Sequence, residues 1–470
     1  MLIEKLAEKG HPLTFKPEIA LSWLGYGPFV EHMNSYETLI REIELIPTYK
    51  EVLIKDKSLT VVNRNPAVTY EETSYEDALK RYLMTWCSRT QTILEQFERV
   101  NVDLSAGMDS RTVFAFVVYV LGKRPDLADK VRIYSSSNVR YEDELPIAKE
   151  IAEQLGLKVE SVPYQLSRPQ SLEMDFQNWK YNRLGQYVLA AQIPRTGYPN
   201  LSARLSGVGG ADYRDFYGKF HASFEDLLLS KSRFFKNVQG PFNSFAKFKQ
   251  SVESSVNIAR DFPMFKLNDM QIHFREFRSR FHGGCSASER FKFLPLTGGH
   301  MDRLALVAGQ ERLDSLQVFH DVQHNLVPEL LKHPYDLPFK TPTAYTLSNL
   351  AKVDIGELSS IEACIKMEAQ STHPLKRYTS KKMFIHLRDV VQGHSMDLPK
   401  YMDDTSRIAL KKLEKAIEAK RLPSGTDMQK IHAVVLFGEL SRLGVDISIR
   451  MKFWEEILRK WWKPKAVENI

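Results

Sequence analysis

Residues 102–112, Val-Asp-Leu-Ser-Ala-Gly-Met-Asp-Ser-Arg-Thr, decide how this chain is read. Val102 to Leu104 reads as the end of a strand. Ser105, Ala106 and Gly107 read as a turn of small residues that lets an anion approach backbone N–H groups. Thr112 to Leu121 (TVFAFVVYVL) is apolar enough for a buried helix, whose N-terminus adds free amides and a positive dipole end. Ser105 and Ser110 supply hydroxyl donors, Arg111 supplies a cation, and Asp109 can hold Mg²⁺ against phosphate oxygens. The stretch reads as a nucleotide cradle, the alternative being an ordinary strand–turn–helix corner. It is not the Gly-x-x-x-x-Gly-Lys-Ser/Thr loop, because no lysine opens the helix.

Outward from this corner, residues 131–137 (VRIYSSS) read as a second strand. Glu142 to Leu157 reads as a helix with apolar Ile147, Ala148, Ile151, Ala152 and Leu155, closed by Gly156. Val159 to Val162 begins a third strand. This alternation implies an α/β fold with a doubly wound parallel sheet, whose ligands bind at the carboxyl ends of the strands.

The loop resembles the Ser-Gly-Gly-x-Asp-Ser loop of the N-type ATP pyrophosphatases, with Ala106 in place of the first glycine. Further landmarks resemble the synthetase domain of asparagine synthetase and its relatives, including β-lactam synthetases and lasso-peptide cyclases. Asp143 and Glu144 followed by Ala148, Ile151, Ala152, Leu155 and Gly156 resemble the family's acidic pair and helix. Leu205-Ser-Gly-Val-Gly-Gly-Ala-Asp212 is similar to its Ser-Gly-x-Gly-x-Asp loop, and Glu289 to Arg303 to its Pro-Leu/Phe-Leu-Asp segment. Trp23 to Pro28, Glu42 to Pro47 and the short alternating strand Glu51 to Ile54 look like the join between the family's glutaminase and synthetase halves.

The resemblance implies an adenine nucleotide alpha hydrolase-like fold with a mainly helical C-terminal part, and ATP and Mg²⁺ as cofactors. It implies an AMP-forming ligase that adenylates a carboxylate substrate, releases pyrophosphate and passes the acyl group to ammonia or an amine. Ser105, Ala106, Gly107, Met108, Asp109, Ser110 and Gly207 would hold ATP or pyrophosphate, and Ser135, Ser136 and Ser137 would lie at the adenosine pocket. Asp109 and Asp212 would hold metal. Asp212, Arg111 and Glu289 are the implied catalytic residues, with Asp302 and Arg303 near the substrate. Asp212 reads alternatively as the cap of a surface turn, with Asp215 and Arg214 close enough to substitute, and Asp302–Arg303 as a buried ion pair. Val208 stands where the family commonly has glutamate, and no counterpart of the family's transition-state lysine is evident. Leu2, and cysteines only at positions 87, 285 and 364, imply no glutamine hydrolysis by this chain. Nitrogen would come from ammonia, an amine or a partner such as a separate glutaminase; a precursor peptide is another candidate partner.

The expected organisation is an N-terminal remnant and lead-in helix over residues 1–98, the helix running from Ser74 to about Glu98. A pyrophosphatase domain over 99–345 and a helical region over 346–470 follow. The 43% hydrophobic and 26% charged composition is that of a globular chain. Three scattered cysteines make neither a disulfide framework nor a zinc site, and no stretch reads as a signal peptide or membrane span, so a cytoplasmic location is expected. A charge of +7, from 65 basic and 58 acidic side chains, is weak support for a nucleic-acid partner. The tail with Trp454, Trp461 and Trp462 reads as a helix packed on the domain, with membrane-surface binding as the alternative. His320 and His324 read as helix-surface histidines. Other functions compatible with the loop are nucleobase adenylation in nucleic-acid modification and a catalytically silent binding protein.

Overall fold

The computed structural model describes residues 2–16, 18–19, 29, 33–56, 58–63, 73–136, 144–162, 202–218, 220–232, 244–260, 267–281, 291–360, 385, 388–393, 403–418 and 425–445. Strands β1 (Lys50–Lys55) and β2 (Ser58–Asn63) form an antiparallel hairpin. Strands β3 (Arg99–Asp103), β4 (Val131–Ser136), β5 (Val159–Val162), β6 (Ser202–Leu205) and β7 (Lys292–Phe293) form one sheet. The helices used below are, in chain order, α1 (Tyr75–Gln96), α2 (Met108–Lys123), α3 (Glu144–Gln154), α4 (Ser244–Arg260), α5 (Asp269–His273), α6 (Gly299–Asp314), α7 (Gln317–Leu326), α8 (Asp403–Glu418) and α9 (Gly425–Arg442).

The sheet order is β5-β4-β3-β6-β7, and every pairing is parallel. Val102 sits between Ile133 on one side and Leu205 on the other, so β3 is central, and its Val100 and Val102 bury one face. The order runs outward from β3 in both directions, and in open parallel sheets the crevice beyond the carboxyl ends of such strands is where ligands bind.

Each flanking helix has a local reason to start and stop. The Ser74 hydroxyl accepts the Asp77 amide at 3.0 Å, and Glu76 and Asp77 occupy the first turn of α1. Helix α2 buries Val113 to Val117 completely, and Lys123 closes it against the negative dipole end. It starts at Met108, four residues before its apolar run, which makes the residues of the loop its first turn. Helix α3 buries Ala148, Ile151 and Ala152, and Gly156 at φ 70° lets the Leu157 amide return to the Ala152 carbonyl at 2.8 Å. Its first two expected residues, Glu142 and Asp143, lie outside the described residues.

A second core is drawn from three stretches of chain. Phe15, Tyr36 and Ile40 meet Phe248 and Val252 of α4, Ile272 of α5, and Val434, Val435 and Phe437 of α9. The Phe15 and Phe437 rings meet edge to face at 5.9 Å. Helix α5 runs on into a π-helical turn, Phe274–Ser279, a form that tends to mark functional sites. The hairpin differs from a half-buried alternating strand: both faces are open, with Ile54 78% exposed. The tryptophan tail lies outside the described residues. Among those described, no helix is long and apolar enough to cross a membrane.

Phe114 is fully buried on α2 in the sheet core. Phe114→Ala should cost about 3–5 kcal/mol of folding stability, read as a lower urea midpoint at unchanged slope.

Candidate nucleotide-phosphate site

The backbone leaves β3 with the Leu104 amide on the Tyr134 carbonyl at 2.9 Å, then turns at Ser105. The turn is held by its own hydroxyls. The Ser105 amide donates to Ser110 Oγ at 3.1 Å, the Gly107 amide donates to Ser105 Oγ at 3.0 Å, and the two hydroxyls lie 2.9 Å apart. Gly107 caps α2 and no side chain satisfies the cap. The first turn of α2, Met108 to Ser110, therefore has no side-chain cap where it lines the cleft. Ala106 is not among the residues with positive φ, so its methyl group imposes no backbone strain.

A second loop, Ser206 to Gly209, follows β6 and packs on that first turn. A Cβ on Gly207 would lie 2.6 Å from Ser110 N, and one on Gly210 would lie 2.3 Å from Asp109 Oδ1. Gly209 adopts φ 102°, and a Cβ there would lie 2.8 Å from the Leu296 carbonyl oxygen. The glycines thus let one loop nest on the helix terminus that the other creates.

Between the loops lies a cleft of about 610 Å³. Four carboxylates line it. Asp103 takes both Nε and Nη2 of Arg204 at 2.9–3.2 Å, and Asp109 Oδ2 accepts Arg214 Nη2 at 2.6 Å. Asp336 accepts Lys340 Nζ at 2.7 and 2.8 Å. Glu144, opening α3, is the fourth. The far wall comes from Phe216 and the π-helical turn, where the Arg278 guanidinium lies 5.0 Å from the Phe216 ring centre.

Of the residues expected at the nucleotide, Ser105, Gly107, Met108, Asp109, Ser110 and Gly207 line this cleft. Ala106 is buried behind the turn, its carbonyl accepting the Asp336 amide at 3.1 Å. Arg111 points the other way. Its guanidinium is buried, donates to the carbonyls of Leu330 (3.1 Å), His333 (3.0 Å) and Pro334 (2.6 Å), and lies 3.8 Å from the Tyr335 ring centre. It has no face left for a phosphate. Ser135 is buried at the end of β4 away from the cleft lining, and Ser136 closes that strand. Ser137 and Glu289 lie outside the described residues.

Asp302 accepts Tyr213 Oη at 2.6 Å and Arg275 at 2.9 Å, which makes it part of a buried network, and Arg303 is buried beside it. Asp215 caps a turn by accepting the Gly218 amide at 2.6 Å. His320 corrects an expectation: it is 1% exposed, because the face of α7 that carries it is covered, and its Nε2 lies 3.0 Å from the Lys340 carbonyl oxygen. Burial pushes its imidazole down to about 4, so it is neutral near pH 7. Lys340 and Arg278 are cleft residues that the chain order conceals, while Arg214, named beside Asp215 as a substitute for Asp212, also lines the cleft. Lys340 sits in the Pro-containing stretch His333 to Pro342, whose only local signal is turn-forming composition.

Asp109 Oδ1 and Asp212 Oδ1 are both buried with no hydrogen-bond partner. Burial pushes the Asp212 carboxyl up to about 7, with Arg275 and Ser279 opposing and Asp302 and Asp109 adding repulsion. Two buried carboxylate oxygens in need of a positive partner suit Mg²⁺, which takes one or two carboxylates and completes its shell with phosphate and water. Among the described residues no cluster of three or more His, Cys, Asp or Glu exists, so the protein alone would supply few ligands.

Gly207→Ala should leave the fold intact while pushing the two loops apart, and ATP affinity measured by calorimetry should fall at least about tenfold. Asp212 holds its proton more tightly folded than unfolded, so it makes the fold less stable as pH rises from the ordinary carboxylate range through about 7. Asp212→Asn should therefore flatten the pH dependence of the melting temperature over that range. It should also abolish any extra stabilisation that Mg²⁺ adds to ATP.

Compared with known proteins, the chain matches no family model and no curated protein.

Proposed function

We propose that this chain is an ATP-dependent, AMP-forming ligase of the asparagine synthetase-like class, on an adenine nucleotide alpha hydrolase-like sheet. The observation that carries the reading is the uncapped N-terminus of α2 beside Ser105 and Ser110, facing Lys340 across a cleft at the carboxyl edge of β3. A carboxylate oxygen of the substrate attacks the α-phosphorus of ATP, and the bond from that phosphorus to the bridging oxygen breaks. The β- and γ-phosphates leave as pyrophosphate. The first-turn amides and the Ser105 and Ser110 hydroxyls receive the charge that develops on them, while Asp336 holds Lys340 Nζ within the same cleft. Mg²⁺, held by Asp109 and Asp212, would neutralise part of that charge. Ammonia or an amine then adds to the acyl carbon and AMP departs.

A second reading, a nucleotide-binding protein without turnover, is favoured by one contact: Arg214 occupies Asp109 Oδ2 at 2.6 Å and competes with a metal there. Incubating the full chain with Mg-ATP, hydroxylamine and a panel of amino acids and dicarboxylic acids separates the two. The ligase yields AMP and pyrophosphate in equal amounts together with a hydroxamate, and Ser110→Ala or Lys340→Met lowers that yield about 100-fold or more. ATP that binds without forming AMP with any acid overturns the ligase in favour of the second reading.

A further inference from the structure

Amide formation releases a proton from nitrogen, and a carboxylate of the cleft free to accept it would speed the second step at neutral pH. Four carboxylates line the cleft, and three have their charge committed. Asp103 is held by both donors of Arg204, Asp109 by Arg214 and Asp336 by Lys340. The basic side chains of the cleft offer no alternative: Arg214 and Arg278 are guanidinium groups that keep their protons, and Lys340 Nζ is bound to both oxygens of Asp336. His320, the nearest imidazole to Lys340, faces a backbone carbonyl from outside the cleft lining.

Glu144 differs from the other three acids. Among the described residues no lysine or arginine lies within ion-pair distance of it. It opens α3 on the carboxyl side of β4, half-buried, and lines the same cleft as Ser105 of the phosphate turn. We propose that Glu144 is the general base of the amide-forming step, a role that rests on the ligase reading above. The nitrogen lone pair forms the C–N bond, the C–O bond to AMP breaks with its electrons leaving on AMP, and one nitrogen proton passes to the Glu144 carboxylate and on to solvent. Its place in the lining of this cleft puts the carboxylate in the same space as Ser105, Gly107 and Ser110, the residues that would retain pyrophosphate.

The surroundings suit the task. Burial, with the Asp336 carboxylate adding repulsion, raises the Glu144 carboxyl above its ordinary range, while the Ser105 hydroxyl and Lys340 oppose the shift. A carboxylate whose pKa lies nearer to neutral is the stronger base.

Hydroxylamine and ammonia separate this role from any other. Hydroxylamine is neutral and strongly nucleophilic near pH 7, so its capture of the adenylate needs little base assistance, whereas ammonia needs it. With an acid that the wild-type chain converts to a hydroxamate, Glu144→Gln should reduce amide formation from ammonium chloride about 100-fold or more, and hydroxamate formation less than about threefold. With rates referred to free NH3 and not to total ammonium, the acid limb of the pH profile for amide formation should vanish in Glu144→Gln and persist in Glu144→Asp. Equal loss of both products in Glu144→Gln, or amide formation at the wild-type rate, overturns the assignment. Glu144→Asp guards against a folding defect, since failure of both variants to bind ATP makes Glu144 structural and also overturns it. Absence of hydroxamate from the wild-type chain is a failure of the ligase reading itself, seen before any substitution is made, and removes the role with it.

Discussion

The guanidinium of Arg111 is the fixed point of the site. It lies at no measurable exposure between the phosphate turn and the segment 330–335, giving its protons to three carbonyls of that segment and its face to Tyr335. Tyr335 in turn donates to Gln323, and Gln323 to Thr112, one residue along from Arg111 on the same helix. The Asp336 amide then reaches the Ala106 carbonyl of the turn. Residues more than two hundred positions apart in sequence are thus closed into one ring of hydrogen bonds, and Lys340 is carried to the cleft by it. An isolated buried charge would be too costly to keep, but a guanidinium whose two terminal nitrogens meet converging carbonyls and whose plane lies on a ring is well suited to this place.

That ring explains which parts of the site were legible in the sequence. Ser105 to Ser110 form a local structure, set by small residues after an apolar strand and before an apolar helix, and they stand where such a pattern puts them. Arg111 looked like a phosphate ligand because it follows them. Helical geometry decides otherwise: Met108, Arg111, Thr112 and Ala115 share the face at i, i+3, i+4 and i+7, and all four are buried, with Met108 and Thr112 meeting Gln323 of α7 and Arg111 meeting the segment 330–335. Lys340 was illegible for the converse reason. Nothing near it in sequence signals a site, and its place is fixed by Arg111, Tyr335 and His320, none of which announces a long-range contact. The hairpin shows the limit of periodicity, since alternation in Glu51 to Ile54 does not say whether anything covers either face.

Charge in the cleft is arranged in pairs that a ligand can redistribute. Arg204 with Asp103 ties β6 to β3, and Arg214 with Asp109 ties the chain after β6 to the first turn of α2, so these two pairs hold the rim of the cleft together before any nucleotide arrives, while Lys340 and Asp336 pair within one segment. Their worth to folding is small where water reaches them, about 1 kcal/mol or less each. Their worth to positioning is larger, because a lysine or arginine already held in place loses less conformational freedom when a phosphate draws near.

The glycines of the second loop carry this logic to its end. Gly207 and Gly210 are the points where a side chain would strike the Ser110 amide and the Asp109 carboxylate, so the loop after β6 is shaped by the loop after β3. Asp109 is thereby gripped from three directions: by its own helix terminus, by Gly210 and by Arg214. A carboxylate held this way, with one oxygen on an arginine and the other buried without a donor, is a centre of unsatisfied negative charge beside a row of open amides. The fold tolerates that opposition of signs where two parallel strands diverge from the centre of the sheet, and a polyphosphate with its cation is the kind of ligand that satisfies both at once.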